Sequence, residues 1–166
     1  MDLNILWFVP IAYFIHIMEE SPRFVPWAKR YLGAPSTFAQ FVLGNVVFMV
    51  YVLVSVSVAV FYPSEWTLVL GLATAAWIFS NFLIHASFTL YTGEYSPGVV
   101  TASAIYAPGA VYIYATFLGS GVLSPIGVIA SIVIGFAVMY VPTLIQERRL
   151  KPDRRQLTAR RSDHEL

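Results

Sequence analysis

Long apolar stretches alternate with short polar ones along most of the chain, and this pattern predicts a bundle of membrane-spanning helices. A span needs about 20 mainly apolar residues, at about 1.5 Å per residue, to cross the hydrocarbon core. The predicted spans cover residues 3–18, 38–62, 66–90, 97–118 and 125–145. We therefore expect an all-α fold, a polytopic membrane helix bundle with about five transmembrane helices.

The segments between the spans carry proline, capping and headgroup-layer residues. Residues 21–36 mix prolines with aromatic and basic side chains, which predicts an interfacial loop or one short helix after the first span. Pro10 in the first span and Pro108-Gly109 in the fourth are expected to bend their helices. Capping residues precede the second and third spans, at Ser36 or Thr37 and at Ser64.

The composition strengthens this prediction. Hydrophobic residues make up 58% of the 166-residue chain and charged residues only 11%, which is too little polar surface for a water-soluble domain. The chain has no cysteine, which excludes disulfides and thiolate metal sites. No basic segment precedes the first apolar stretch and no small-residue cleavage site follows it, so we expect that stretch to be retained as a span.

The basic residues are concentrated near one end of the chain. Seven of the ten Lys and Arg residues follow Gln146, which divides the chain into a transmembrane bundle, 1–146, and a basic tail, 147–166, expected to be disordered. Five spans place the first loop and the tail on the same side, and both are basic. The positive-inside rule then predicts an N-terminus outside and a tail in the cytoplasm, with the bundle in the cytoplasmic membrane.

The basic tail also suggests a partner. It is expected to favour anionic lipid, at about 1 kcal/mol per basic residue near the surface. Acidic residues interleave with the basic ones, and this argues against nucleic-acid binding.

An ionisable cluster, His16, Glu19 and Glu20, ends the first span. A charged side chain within a membrane costs at least about 2.5 kcal/mol, so such a cluster needs a compensating role. His16 and Glu20 are one helical turn apart and share a face, so one imidazole and one carboxylate can hold the same cation. The alternative is a helix end at the interface whose carboxylates pair with Arg23 or Lys29.

Span direction predicts that other polar residues reach the same depth. The first and third spans run in the same direction, and His85 lies near the end of the third. We expect His16 and His85 to meet in the inner leaflet and to hold a divalent metal, zinc or iron, together with Glu20. Glu19 is the candidate catalytic residue, a general base toward a water at the metal. Further candidate ligands or supporting residues at this depth are Asn81, Glu94 and Asn45.

Three residues near the fourth span are candidates for substrate binding: Tyr95, Thr101 and Tyr106. The alternative is that Thr101 and Tyr106 cap and pack their helix, and that Tyr95 fixes how the helix starts.

The sequence resembles the HXXEE family of small bacterial integral membrane proteins. The resemblance rests on H-I-M-E-E at His16 to Glu20, N-F-L-I-H at Asn81 to His85 and Y-S-P-G-V-V-T-A at Tyr95 to Ala102, and it covers roughly the first hundred residues. It implies a compact multi-span fold with a suspected metal site, and it names no substrate.

The leading hypothesis from the sequence is an intramembrane metal-dependent hydrolase acting on an apolar, lipid-like or isoprenoid-like substrate at the cytoplasmic leaflet. A first alternative is a non-enzymatic membrane protein that uses the His/Glu cluster for proton transfer or small-ligand binding. A second is a two-metal oxidative enzyme. A third is a partner in a homo-oligomer or other assembly, held by the small-residue ridge of Gly127, Ser131 and Gly135 in the fifth span.

Overall fold

The computed structural model describes residues 1–31 and 37–142, and all regular structure within those ranges is helical. A 3₁₀ segment, Leu3–Trp7, leads directly into the first helix. The helices are α1 (Phe8–Glu20), α2 (Phe24–Tyr31), α3 (Phe38–Phe61), α4 (Glu65–Thr92), α5 (Val99–Ser120) and α6 (Pro125–Pro142).

Five of these segments are long and apolar enough to cross a membrane: Leu3–Glu20, α3, α4, α5 and α6. The predicted all-α membrane bundle is thus confirmed, and the segment after the first span contains one short helix, α2. The predicted tail, 147–166, the end of the fifth span at 143–145 and the alternative cap Ser36 lie outside the described residues.

Capping side chains determine where α3 and α4 begin. Thr37 accepts a hydrogen bond from the Gln40 N–H, and Ser64 accepts one from the Thr67 N–H. Each pair forms a reciprocal capping box, which satisfies two backbone donors at the start of a helix. α4 ends at Gly93, whose φ of 67° lies in the left-handed region that glycine adopts easily. α4 is therefore slightly longer than the predicted third span. The first span is also longer than predicted, because it continues to Glu20.

Irregular backbone lies beside both prolines expected to bend their helices. Pro10 lies in the first turn of α1, where its missing N–H costs no helical hydrogen bond, and the irregular backbone before it is the 3₁₀ segment. In α5 a π-helical turn, Ala102–Tyr106, lies just before Pro108, and the Ala107 N–H bonds to the Ala102 carbonyl five residues earlier. The irregularity predicted at Pro108 thus takes the form of a wider turn upstream of it.

α4 is the central helix of the bundle. In its most apolar stretch 61% of the residues are buried, against 22–39% in the other spans. Small residues allow neighbouring backbones to approach it: a Cβ at Gly71 would lie 2.6 Å from the Ala59 Cβ of α3, and a Cβ at Gly135 would lie 2.6 Å from the Ala76 Cβ. Ser131 of the same ridge in α6 hydrogen-bonds the Tyr114 hydroxyl of α5 at 2.8 Å. Part of the small-residue ridge therefore packs within the chain itself.

α2 packs across the end of the bundle at which α1 ends. Its Trp27 ring contacts Phe88 of α4 edge-on at 5.1 Å, and Phe24 packs on Phe41 of α3 at 4.9 Å. Arg30 forms a 3.0 Å ion pair with Glu94 in the loop between α4 and α5. This end of the bundle also carries the polar cluster.

The substitution Gly135→Ala is expected to destabilise the bundle, because its methyl group would also lie 2.8 Å from the Trp77 backbone nitrogen. Overpacking of this kind costs about 1–3 kcal/mol. Gly44→Ala is the matched control, since a Cβ there meets nothing within 4 Å. Thermal unfolding of the detergent-solubilised protein should show a lower Tm for Gly135→Ala alone. Equal Tm values for the two variants would contradict the packing of α6 on α4.

Candidate metal centre

Three polar side chains from two helices meet at one end of the bundle. His16 and Glu20 lie one turn apart near the end of α1, and His85 comes from the last two turns of α4. All three are buried, with exposed fractions of 1%, 8% and 4% respectively. The two imidazole rings lie edge to face, with their centroids 5.0 Å apart. The predicted convergence of His16 and His85 is therefore present in the fold.

The Glu20 carboxylate lies between the two imidazoles. Its Oε2 is 3.9 Å from His16 Nε2, and its Oε1 is 3.8 Å from His85 Nε2. Both distances are too long for a direct hydrogen bond. One ligand atom from each of the three residues falls within 4.8 Å of the others. The cluster thus presents a carboxylate oxygen and two ring nitrogens around a common point.

The other ring nitrogens contact hydroxyl groups. His16 Nδ1 lies 2.9 Å from Thr101 Oγ1, at the start of α5. His85 Nδ1 lies 3.0 Å from the hydroxyl of Ser96, a fully buried residue in the loop before α5. Each imidazole is thereby fixed in orientation through the nitrogen that faces away from Glu20.

Glu19 points to the start of α5 instead of to the cluster. Its carboxylate accepts hydrogen bonds from the Val100 N–H at 3.1 Å, the Thr101 N–H at 2.7 Å and the Tyr95 hydroxyl at 2.5 Å. The first N–H groups of a helix have no partner within the helix, and a negative charge there is also favoured by the helix dipole. Glu19 therefore caps α5.

Tyr95, in the loop between two spans, is held as the donor to Glu19. Burial raises the pKa of the Tyr95 phenol, and the hydrogen bond to Glu19 raises this pKa further. The Arg23 guanidinium stacks over the Tyr95 ring at 5.4 Å. The phenol is therefore protonated at neutral pH.

Gly98 lies directly against the two imidazoles. Its φ is 96°, and a Cβ there would lie 2.5 Å from His16 Cε1 and 3.1 Å from His85 Cε1. Gly98 is also the N-cap of α5 and has no side chain to cap the helix. Close packing against the rings thus requires glycine, and the missing cap is supplied by Glu19.

Tyr106 covers His16 from the side of α5. Its ring lies 4.6 Å from the imidazole at a tilt of 33°. Its hydroxyl is buried and, within the described part of the chain, has no hydrogen-bond partner; the same is true of His16 Nε2. Two unpartnered polar atoms therefore occur on side chains that are in contact.

A family model described as a protein of unknown function with HXXEE motif matches residues 7–113. The chain belongs to the HXXEE family. His16, Glu19 and Glu20 form the motif that gives the family its name, and the matched range also contains His85 and Thr101. Searches of curated proteins and of solved structures give no match.

The other predicted site residues lie around the cluster of His16, Glu20 and His85 or away from it. Asn81, one turn before His85, has a buried side-chain oxygen without a hydrogen-bond partner among the described residues. Asn45 accepts a hydrogen bond from Tyr13 at 2.6 Å and donates one to the Phe41 carbonyl. Glu94 forms its exposed ion pair with Arg30. Glu94 is therefore not in the three-residue cluster that could hold an ion.

Sequence reasoning did not single out Ser96 or Gly98 as site residues. Both lie in the Y-S-P-G-V-V-T-A segment that resembles the HXXEE family, and Pro97-Gly98 indicates a turn. The sequence signal that could have identified them is this turn, which comes directly before a span predicted to begin at the depth of the cluster.

The substitution Gly98→Ala is expected to disrupt the cluster of His16, Glu20 and His85, because it combines backbone strain with a clash against His16. Gly93→Ala is the matched control, because it also has a positive φ, 67°, but meets nothing within 4 Å. Left-handed backbone costs about 1–2 kcal/mol in both variants, and overpacking adds about 1–3 kcal/mol in Gly98→Ala alone. Thermal unfolding of both variants measures the difference. A Tm for Gly98→Ala no lower than that of Gly93→Ala would contradict the close contact.

Proposed function

We propose that this protein is a metal-dependent membrane enzyme whose centre is formed by His16, Glu20 and His85. One observation carries the proposal: two imidazoles and a carboxylate, all buried, direct three ligand atoms to within 4.8 Å of one another. Nitrogen and oxygen donors of this kind suit zinc or iron.

The spacing of the three side chains fits a small divalent ion. Bonds of about 2.0–2.2 Å in tetrahedral geometry place ligand atoms about 3.4 Å apart. A different Glu20 oxygen lies nearest each Nε2 atom, at 3.8 and 3.9 Å, and the three ligand atoms lie within 4.8 Å of one another, so the side chains would draw closer to bind an ion. Metal-ligating histidines donate their other ring N–H to an acceptor, and here both Nδ1 atoms contact hydroxyls. The buried Nε2 of His16, which has no other partner in the described residues, supports the same reading.

The number of ligands supports catalysis. Structural zinc sites are closed by four protein ligands, whereas catalytic sites have three and keep a position open. Among the histidines and carboxylates of the described residues three form the cluster, and the chain has no cysteine to complete a thiolate site. When bound, the ion supplies Lewis-acid polarisation of a carbonyl or phosphoryl oxygen. Hydrolysis is the simplest reaction compatible with this set.

The chain's own residues divide the remaining roles. Glu19, predicted as the general base, has both carboxylate oxygens engaged by the donors at the start of α5, so the proposal assigns it no proton transfer. Ligation through one Glu20 oxygen leaves the second oxygen free to accept a proton. The Tyr106 ring forms a wall against His16, and its hydroxyl is available to a substrate.

A groove formed by residues outside the cluster supports a lipid-like substrate. An apolar groove of about 430 Å³ lies between α4, α5 and α6, and its lining includes Ala76, Ala110 and Phe136. Ala110 lies about one turn after Tyr106 on α5. Lining residues such as Val111 and Ile132 are 58% and 41% exposed, so the groove faces the bilayer. A hydrocarbon chain in this groove would extend away from the end of the bundle that holds the cluster.

We place the centre on the cytoplasmic side of the cytoplasmic membrane, with the N-terminus outside. The proposal is supported by the three basic residues between α1 and α3 and the seven in the tail, because basic loops favour the cytoplasm. The same charges support contact of the tail with anionic lipid. The proposal includes no homo-oligomer, because Ser131 and Gly135 pack on the chain's own helices.

The alternatives receive less support. A two-metal oxidative centre would need further carboxylates, but Glu19 caps α5 and Glu94 pairs with Arg30. A non-enzymatic role in proton transfer or ligand binding would leave the purified protein without a tight metal, so metal analysis separates it from the leading proposal.

Elemental analysis of the detergent-purified protein is expected to find about one zinc or iron ion per chain. His16→Ala and His85→Ala should each lower the metal content roughly tenfold or more, because each removes a ligand. The matched control is His164→Ala, which changes the remaining histidine in the tail. A parent protein without metal, or an equal loss in all three variants, would refute the proposed centre.

The enzymatic part of the proposal is tested with the purified protein in detergent and a total membrane lipid extract. We expect hydrolysis products, detected by mass spectrometry, that disappear after chelation and return when zinc or iron is added. Glu20→Gln should abolish product formation, whereas Glu94→Gln, which alters an exposed ion pair, should retain it. Products that persist in Glu20→Gln or after chelation would count against metal-dependent hydrolysis.

A further inference from the structure

We infer that Glu19 and Thr101 are positioning residues that fix the proton of His16 on Nδ1 and so leave Nε2 free to bind a metal. The inference rests on the proposed metal centre and gives the first glutamate of the HXXEE motif a role different from that of a base. It rests on the hydrogen bonds that link the C-terminal end of α1 to the start of α5.

The Thr101 hydroxyl determines which nitrogen of His16 carries the proton. It donates its own hydrogen to the Gly98 carbonyl, at 3.2 Å. While the hydroxyl donates there, its oxygen accepts at the 2.9 Å contact with His16 Nδ1, which assigns the ring proton to Nδ1. In the neutral imidazole the lone pair is then on Nε2, the atom that faces Glu20.

Glu19 determines where the Thr101 hydroxyl lies. Its Oε2 accepts from the Thr101 N–H at 2.7 Å, and its Oε1 accepts from the Val100 N–H. Because Glu19 lies three residues after His16 on the same helix, this contact fixes the start of α5 relative to His16. Glu19 thus acts on His16 through the backbone of Thr101, as a positioning residue and not as a ligand or a base.

Gly98 explains why the cap at the start of α5 comes from a residue of another helix. A capping side chain at position 98 would occupy the space of the imidazoles, since even a Cβ would lie 2.5 Å from His16 Cε1. The cap of α5 must therefore come from elsewhere, and Glu19 provides it. The spacing H-x-x-E-E thus joins a metal-binding pair, His16 and Glu20, to the clamp that orients its histidine.

The test is Co²⁺ binding to the full-length, detergent-solubilised protein, followed by the visible absorption of the bound ion, which reports its coordination geometry. Thr101→Val removes the hydroxyl and is expected to weaken Co²⁺ binding about 10–100-fold and to change the spectrum. Thr101→Ser keeps the hydroxyl and should retain both affinity and spectrum. Thr116→Val is the matched control, because this half-buried threonine of α5 donates its hydroxyl hydrogen to the Tyr112 carbonyl and lies about four turns after Thr101.

Glu19→Gln provides the second arm, with Glu94→Gln as its control. An amide oxygen and an NH₂ group cannot together accept all the hydrogen bonds that the Glu19 carboxylate accepts, so Co²⁺ affinity and spectrum should change as in Thr101→Val. Should Thr101→Val fail to fold, as judged by circular dichroism, this pair makes the same comparison.

The outcomes separate the inference from the proposed function. A parent that binds no Co²⁺ refutes the metal centre. A parent that binds Co²⁺ while Thr101→Val and Glu19→Gln bind it unchanged refutes only the positioning role. A Thr101→Ser variant as defective as Thr101→Val also refutes it, because the hydroxyl would then not be what matters.

Discussion

The fold depends on keeping two imidazoles and a carboxylate buried at the end of an otherwise apolar bundle. Polar groups removed from water cost free energy unless they are paired, and ionisable ones in a membrane cost most. Thr101 and Ser96 satisfy the Nδ1 atoms of His16 and His85. The arrangement of the nearby loop follows from this requirement, since both hydroxyls lie on the short segment that joins α4 to α5 or on the turn after it.

A second consequence concerns the connection between helices. Apolar packing alone does little to fix the rotation of a helix about its own axis, because lipid and neighbouring helices are equally apolar. The bonds from Glu19 to the first N–H groups of α5 are directional, and they fix both the position and the rotation of that helix relative to α1. Polar contacts therefore set the geometry of this end of the bundle, whereas small residues such as Gly71 and Gly135 set how closely the helices approach α4.

This division explains how much of the molecule could be predicted from its sequence. Depth along the membrane follows from span length and direction, so the meeting of His16 with His85 could be anticipated. Rotation about a helix axis could not, because these spans are apolar nearly all round and show no face to orient. Glu20 lies one turn after His16 and could be assigned to its face from the sequence, but Glu19 points about 100° away, and only the packed structure shows that it meets the start of α5. The partner of Glu94 could not be predicted either, since a loop carboxylate can pair with any nearby cation. In the structure it pairs with Arg30.

The π-helical turn in α5 completes the geometry around His16. In a regular α-helix Thr101 and Tyr106, five residues apart, would point about 140° away from each other. The extra residue in the turn at Ala102–Tyr106 reduces this angle, and both side chains contact His16, Thr101 through its hydroxyl and Tyr106 through its ring. Pro108 has no N–H for the carbonyl four residues earlier, so the hydrogen-bond ladder is already interrupted where the wider turn ends. A proline that would normally weaken a helix thus coincides with a turn that brings two side chains onto one histidine, and single π-turns frequently occur at functional sites.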